Sequence, residues 1–331
     1  MKNIQKFSKS ILKLDPEAET NRICEKLRYL LSNELRRRGL VIGLSGGIDS
    51  SVTVALSAKA IGPDRVAALL MPERHSAGET LSLSKTAADH VGCETILEEI
   101  SEILKAAGHY KRYEKAVQLI IPEYGENWKS KIVTSNILDG KGFTYFSVIA
   151  QNPEGELITK RLPLKPYLEI VAATNFKQRI RKMLEYYHAD RFNYAVAGTP
   201  NRLEYDQGFF VKNGDGSADV KPIAHLYKTQ VYQLADYLQI PQAIRSRPPT
   251  TDTYSLSQGQ DEFYFSLSTE KMDLCLYGKN NSIPVELVSK AIDLDPEKVQ
   301  RVYDDIDTKR STTRYLHLPP LLVEDVAEIN I

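Results

Sequence analysis

The sequence predicts an α/β protein: a doubly wound parallel sheet with helices on both faces and an inserted β-hairpin. Three observations predict it. Short apolar runs of strand length alternate with longer segments of helical period through the N-terminal part. The joints fall at Gly39, Gly62-Pro63 and Gly92, residues suited to ending helices. After about Gly108 this rhythm stops, and two strand-like runs separated by a turn take its place.

In chain order, Glu19 to Arg38 has Ile23, Leu27, Leu30 and Leu31 at helical spacing, with Gly39 as its expected end. Arg36-Arg37-Arg38 reads as a solvated last turn. Leu40 to Leu44 is a buried strand and Asp49 to Ile61 a helix. Arg65 to Leu70 is a second strand, Leu81 to Val91 a helix, and Glu94 to Leu97 a third strand. Tyr145 to Ile149 and Leu157 to Leu162 flank the turn Asn152-Pro153-Glu154-Gly155, so the stretch 108–167 reads as an insertion in a single domain, 1–331. Asn175 to Tyr187 resumes as helix, Tyr194 to Ala197 as core strand, and Tyr227 to Leu238 as helix. Arg247 to Gln260, rich in Pro, Thr, Ser and Gln, reads as a mobile loop, and the tail from Pro284 as mostly helical.

Composition narrows the function. The 331 residues are 42% hydrophobic and 26% charged, ordinary for a globular enzyme. Lys plus Arg and Asp plus Glu are 43 each, so no global basic field argues for nucleic acid. Cys24, Cys93 and Cys275 are scattered, without the spacing of a zinc site or a disulfide framework, which fits a reducing compartment. No run approaches the ~20 apolar residues that span a bilayer. The N-terminus lacks the continuous apolar core of a secretory signal. A cytoplasmic enzyme is expected.

The chemistry concentrates in Gly43-Leu44-Ser45-Gly46-Gly47-Ile48-Asp49-Ser50-Ser51, between an expected strand and an expected helix. That context aims backbone N–H groups, at the positive end of a helix dipole, toward an anion. Adjacent glycines let the backbone approach it, and Ser45, Ser50 and Ser51 add hydroxyl donors. Asp49 would repel phosphate unless it holds Mg²⁺, which takes hard oxygen ligands and bridges to phosphates. The loop has neither the Walker Gly-Lys-Ser/Thr ending nor Rossmann glycine spacing.

The loop resembles the SGGxDS pyrophosphate loop of the N-type ATP pyrophosphatases, a superfamily with an adenine nucleotide alpha hydrolase-like fold. Downstream, Gly198-Thr199-Pro200-Asn201-Arg202-Leu203-Glu204 resembles the GTxNKSE segment of ammonia-dependent NAD synthetases. Gly208 to Asp219 is similar to their GYFTxYGDGxxD, and Leu226-Tyr227-Lys228-Thr229-Gln230-Val231 to their LYKTQV. Asn175 to Arg181 resembles NxKARxR, Arg247 to Asp252 KPPSAD, and Asp307 to Arg310 the C-terminal EHKR. These motifs stand in the family's order over most of the chain outside the insertion.

The resemblance implies ATP-dependent amidation of a carboxylate through an acyl-adenylate: deamido-NAD, ATP and ammonia giving NAD, AMP and pyrophosphate. It implies ATP contacts from Gly43, Ser45, Gly46, Gly47, Asp49, Ser50, Thr199, Lys228 and Thr250. Asp49 and Glu204 are expected to hold Mg²⁺. Lys228 suits a phosphate as a point charge, and in the first turn of a helix it opposes the dipole, which favours a functional role. Asp215, with Asp49 and Lys228, is expected to be catalytic, since the family's aspartate there lies near the ammonia entrance. Arg181, Tyr186, Lys212, Asp219 and Lys309 are expected at the pyridine-nucleotide substrate, with Tyr186 reaching across a homodimer interface. No glutaminase domain is expected, which leaves free ammonia or a separate partner as nitrogen source.

The departures cluster away from the ATP side. Arg202 and Leu203 replace the lysine and serine of NKSE, Asn213 an aromatic, Ala224-His225 a Gly-Asp pair, and Thr308 a histidine. They leave two alternatives open: an amide-forming relative acting on another carboxylate metabolite or sugar acid, and an inactive nucleotide-binding scaffold.

Overall fold

The computed structural model describes residues 7–76, 78–135, 145–248, 253–259, 264–265 and 267–327. Helix α1 (Pro16–Tyr29) is capped by Asp15, whose side chain accepts from the Glu17 and Ala18 N–H groups at 3.1 Å each. Pro16 fills the first helical position. Cap chemistry, not apolar period, therefore sets the start ahead of the expected Glu19. The helix also ends early: it widens into a π-type turn over 30–34, and the chain reverses at Arg36, whose φ is 51°. The three arginines thus lie beyond the helix. Gly39 does not terminate it; a Cβ there would stand 2.3 Å from the Arg65 carbonyl oxygen, so close packing requires the glycine.

Strand β1 (Leu40–Gly43), helix α2 (Ile48–Ile61), strand β2 (Val66–Leu70), helix α3 (Gly78–Val91) and strand β3 (Glu94–Leu97) follow the expected alternation. Helices α4 (Ser101–Ala106) and α5 (His109–Gln118) lead into the insertion. There the structure has three strands, not a hairpin: β4 (Lys129–Thr134), β5 (Phe146–Gln151) and β6 (Leu157–Arg161), antiparallel in that order. The sequence hides β4 because its inward residue Ser130 is polar. That hydroxyl lies 2.9 Å from both the Tyr113 and Tyr124 hydroxyls, so it is satisfied where an apolar side chain was the expected signal.

Helix α6 (Leu164–Phe192) is far longer than the expected Asn175 to Tyr187 and takes in Tyr167, the expected end of the insertion. Its buried side includes Thr174, Lys177, Lys182 and Glu185, which dilute an apolar period. Strand β7 (Ala195–Val196) and helices α7 (Arg202–Gln207), α8 (Lys228–Tyr237), α9 (Gln242–Arg245), α10 (Thr269–Asn280), α11 (Val285–Ile292) and α12 (Pro296–His317) complete the chain.

The core sheet is parallel, in order β3-β2-β1-β7. Alternation sorts its side chains. Leu40, Ile42, Ala68 and Leu70 meet residues of α1, α2, α3 and α8, while Val41, Ala67, Leu69 and Val196 meet α4 and α6. The order turns back at β1, which has β2 on one side and β7 on the other. In open α/β sheets that reversal opens a crevice at the carboxyl ends of the strands.

Candidate active site

A cavity of about 420 Å³ occupies that crevice. The loop after β1 forms one side, the inward face of α6 another, and residues from Thr199 to Asp215 a third.

The loop is built as its residues dictate. Gly46 has φ +68°, and its α-carbon packs so closely that a Cβ would stand 2.7 Å from the Leu83 Cβ. Gly47 caps α2, and Gly47, Ile48 and Asp49 line the cavity, so the helix's positive end faces the space. The Ser50 and Ser51 hydroxyls donate to the Gly47 carbonyl at 3.1 and 2.8 Å, and the Ser45 and Ser50 hydroxyls lie 3.2 Å apart. Gly43, Ser45 and Ser50 line the cavity as expected; Gly46 shapes the loop without lining it.

Lys228 stands opposite at the first position of α8, 2% exposed. Its ammonium pairs with Asp49, whose other oxygen accepts from Asn201 Nδ2 at 3.2 Å. Burial pushes the Lys228 pKa down, but the Asp49 and Glu204 carboxylates outweigh it and the net shift is upward. Glu204 is also half of a capping box: Asn201 Oδ1 accepts from the Leu203 and Glu204 N–H groups, and Glu204 Oε2 accepts from the Asn201 N–H at 3.1 Å. Glu204 thus caps the start of α7 and lines the cavity from one position. Two carboxylates and one ammonium thus meet beside the phosphate loop. Hard-oxygen donors in that arrangement fit Mg²⁺, which is held by one or two carboxylates plus phosphate oxygens.

On α6, Glu185 reaches the end of β1 because Gly43 has no side chain; a Cβ there would stand 2.7 Å from Glu185 Oε1. Lys182 Nζ donates to Glu185 Oε2 at 2.5 Å in a buried pair. Asp215 also lines the cavity, with Oδ1 accepting from the Val211 N–H at 2.7 Å. Burial raises its carboxyl pKa against the pull of that N–H and of Lys182. Arg181 and Thr199 line the same space.

Four expected substrate residues lie outside the cavity lining. The Tyr186 hydroxyl donates to Asp219 Oδ1 at 3.3 Å, and Asp219 Oδ2 accepts from the Val196 N–H at 2.7 Å. Lys212 Nζ donates to the Tyr315 and Leu318 carbonyls at 2.6 and 3.0 Å, tying down the end of α12. Lys309 pairs with Asp305 at 2.7 Å and donates to the Tyr264 carbonyl at 2.5 Å. Thr250 lies outside the described residues.

The sequence did not flag two further groups. Asp273 of α10, 0% exposed, accepts from the Lys228 N–H at 3.3 Å and the Thr229 N–H at 2.7 Å. It caps α8 from another helix, where Tyr227 has no carboxylate to offer. Its carboxyl is raised by burial to about 6. On the opposite wall, Lys177 Nζ donates to Glu73 Oε1 at 2.6 Å and to the Thr253 carbonyl at 3.1 Å, and the Tyr110 hydroxyl donates to Glu73 Oε2 at 3.0 Å. Lys177 sits at the lysine of the Asn175 to Arg181 motif, but only spatial proximity reveals its partner Glu73 and the cap from Asp273.

The reversed strand order, the phosphate loop at a helix start and the acidic pair beside a buried lysine define an ATP-binding protein with the adenine nucleotide alpha hydrolase-like fold. Solved structures agree on the fold. The NMN synthetase of Francisella tularensis matches with TM-score 0.65 at 20% identity, covering 94% of this chain and 99% of that one. The NH3-dependent NAD synthetase of Campylobacter jejuni matches with TM-score 0.62 at 22% identity, covering 94% and 100%. Sequence goes further. The NAD synthase family model matches residues 19–132 and 113–314, two segments that overlap within the insertion. The NH(3)-dependent NAD(+) synthetase of Rhizobium meliloti is 56% identical over 323 residues, 98% of this chain and 96% of that protein. Its counterpart in Mesorhizobium japonicum is 54% identical over 318 residues, 96% and 100% of the two chains. The chain belongs to the NAD synthase family.

Proposed function

We infer that the protein is a ligase that makes NAD from deamido-NAD, ATP and ammonia. The observation that carries this is the meeting of Asp49, Glu204 and Lys228 at a helix-start phosphate loop, in a chain whose relatives are ammonia-dependent NAD synthetases. The relatives do not favour the alternatives, another carboxylate or an inactive scaffold.

In this reading ATP lies along the Gly43–Ser51 loop with its phosphates toward Lys228. Asp49 and Glu204 would hold Mg²⁺, which would supply charge neutralisation for the departing pyrophosphate. The nicotinate carboxylate attacks the α-phosphorus, the bond to the bridging oxygen breaks, and pyrophosphate leaves against the loop N–H groups and Lys228. Ammonia then adds to the acyl-adenylate carbonyl, and AMP departs as the amide forms. Asp215, its pKa raised by burial, takes the proton that ammonium gives up. Arg181 binds the substrate within the cavity. Tyr186 and Asp219 act at its rim, and Lys212 and Lys309 set the walls behind them.

The protein works as a homodimer, with α6 at the interface. Leu164, Leu168, Met183 and Tyr187 stand exposed along that helix, an apolar surface that a second copy would cover beside Tyr186. The chain is one domain with an insertion over 108–167, and takes free ammonia. It resides in the cytoplasm, in keeping with three unpaired cysteines. Among the described residues no helix is long and apolar enough to cross a membrane.

The deciding experiment follows pyrophosphate release from Mg-ATP and ammonium, with and without deamido-NAD, and detects NAD by mass spectrometry. Pyrophosphate that depends on deamido-NAD and matches NAD is expected. Folded protein that gives neither sinks the reading.

A further inference from the structure

Strand β4 is an outer strand of the inserted sheet, and its free edge is covered. Residues 255–258 run along it. The Ser130 N–H donates to the Ser255 hydroxyl at 2.9 Å, and the Leu256 N–H donates to the Ser130 carbonyl at 3.2 Å. Gln258 Nε2 donates to the Ile132 carbonyl at 2.5 Å, and Lys131 Nζ to the Ser257 carbonyl at 3.3 Å. Edge groups that would otherwise face water are thus satisfied by a segment from outside the insertion. Gln258 is 1% exposed. Tyr254, 6% exposed, packs in the insertion's apolar cluster with Val117, Ile132 and Val148.

The same segment faces the nucleotide cavity. Thr253 and Tyr254 line it, as do Arg247 and Pro248, where the chain leaves α9. The Thr253 carbonyl is held from the α6 side by Lys177.

We propose that the inserted sheet positions residues 253–258 as a ready-made wall of the ATP site, so that nucleotide binding need not order them first. This rests on the reading of the cavity as the ATP site. Fixing backbone on binding weakens affinity, and fixing it beforehand removes that cost from the binding step. Ser255 and Gln258 are outside the cavity lining. They are positioning residues, acting through Thr253 and Tyr254.

The test combines Ser255→Ala with Gln258→Ala, which removes the side chains tying the segment to β4. The KM for Mg-ATP should rise about five- to tenfold with kcat held within about twofold. Chymotrypsin cleavage after Tyr254 should accelerate, and a non-hydrolysable ATP analogue should slow it again. Ile158→Ala is the control, loosening the apolar cluster from β6, the edge remote from the segment. A KM unchanged in the double variant, or raised equally in Ile158→Ala, overturns the proposal. Should the parent protein make no NAD from deamido-NAD, the functional reading falls while the cleavage assay still decides this one. Faster cleavage in the double variant, reversed by the analogue, supports it, and parental cleavage rates overturn it.

Discussion

Two buried lysines stand on opposite walls of one cavity, and their surroundings differ. Lys177, 3% exposed, meets one carboxylate, Glu73, whose second oxygen already accepts from Tyr110. Lys228, 2% exposed, faces two, Asp49 and Glu204. The first wall knits α6, the turn after β2 and the Thr253 segment into one body. The second gathers two carboxylates on one lysine where the phosphate loop opens. One carboxylate held by a lysine and a tyrosine serves the structure; two hard-oxygen groups at a phosphate loop suit a cation and its phosphates.

The largest effects on activity should come from the phosphate-loop wall. Asp49→Asn and Glu204→Gln are each expected to lower pyrophosphate release by about 10²–10³-fold. Release at a tenth of the parental rate or more would erase the distinction between the walls.

The α6 wall should respond chiefly in stability. Lys177→Met leaves the buried Glu73 without its lysine, at an expected ~3–5 kcal/mol of stability in urea unfolding. A loss below ~1 kcal/mol would show the pair to be dispensable.

Acid sharpens the same point. Burial alone would raise the Glu73 carboxyl, but Lys177 and His75 hold it down at about 2. Its stabilisation is complete above the unfolded value of 4.5 and is lost as pH falls toward 2, a term of roughly 3 kcal/mol. His109, whose Nδ1–H donates to the Ala173 carbonyl at 2.9 Å and whose pKa burial depresses to about 4, adds a loss that begins below 6.5. Urea midpoints should therefore fall on acidification, and the Glu73 part of that slope should shrink in Lys177→Met, where only His75 still lowers that carboxyl.

The smallest effect concerns the support of the active lysine. Asp273→Ala removes the cap of α8 and should cost about 1–2 kcal/mol in thermal unfolding, with a fall in kcat rather than a rise in KM. Parental kcat would show that α8 holds Lys228 in place without it.

The sequence disclosed what local chemistry dictates. Gly46 must turn left-handed, Gly47 must open a helix, and Asp49 must sit in its first turn, so the loop was readable without coordinates. Strand β4 was hidden because Ser130 answers to tyrosines on other elements. Asp273 and Glu73 were hidden because each matters only through a partner distant in the chain. Tyr186, Lys212, Asp219 and Lys309 rest on the resemblance alone, and the fold sets them outside the cavity lining.

Helix α6 gives the site a fixed pitch. Tyr167, Val171, Thr174, Gln178, Arg181 and Glu185 all line the cavity from one helix, so that face is a ruler graduated every three or four residues. Deleting a single residue midway would rotate everything beyond it by about 100°. Arg181 and Glu185 would swing out of the cavity while Tyr167 stayed against the insertion. Between those points the chain should accept substitutions far more readily than changes of length, and any graft of this insertion onto a related enzyme must preserve the count.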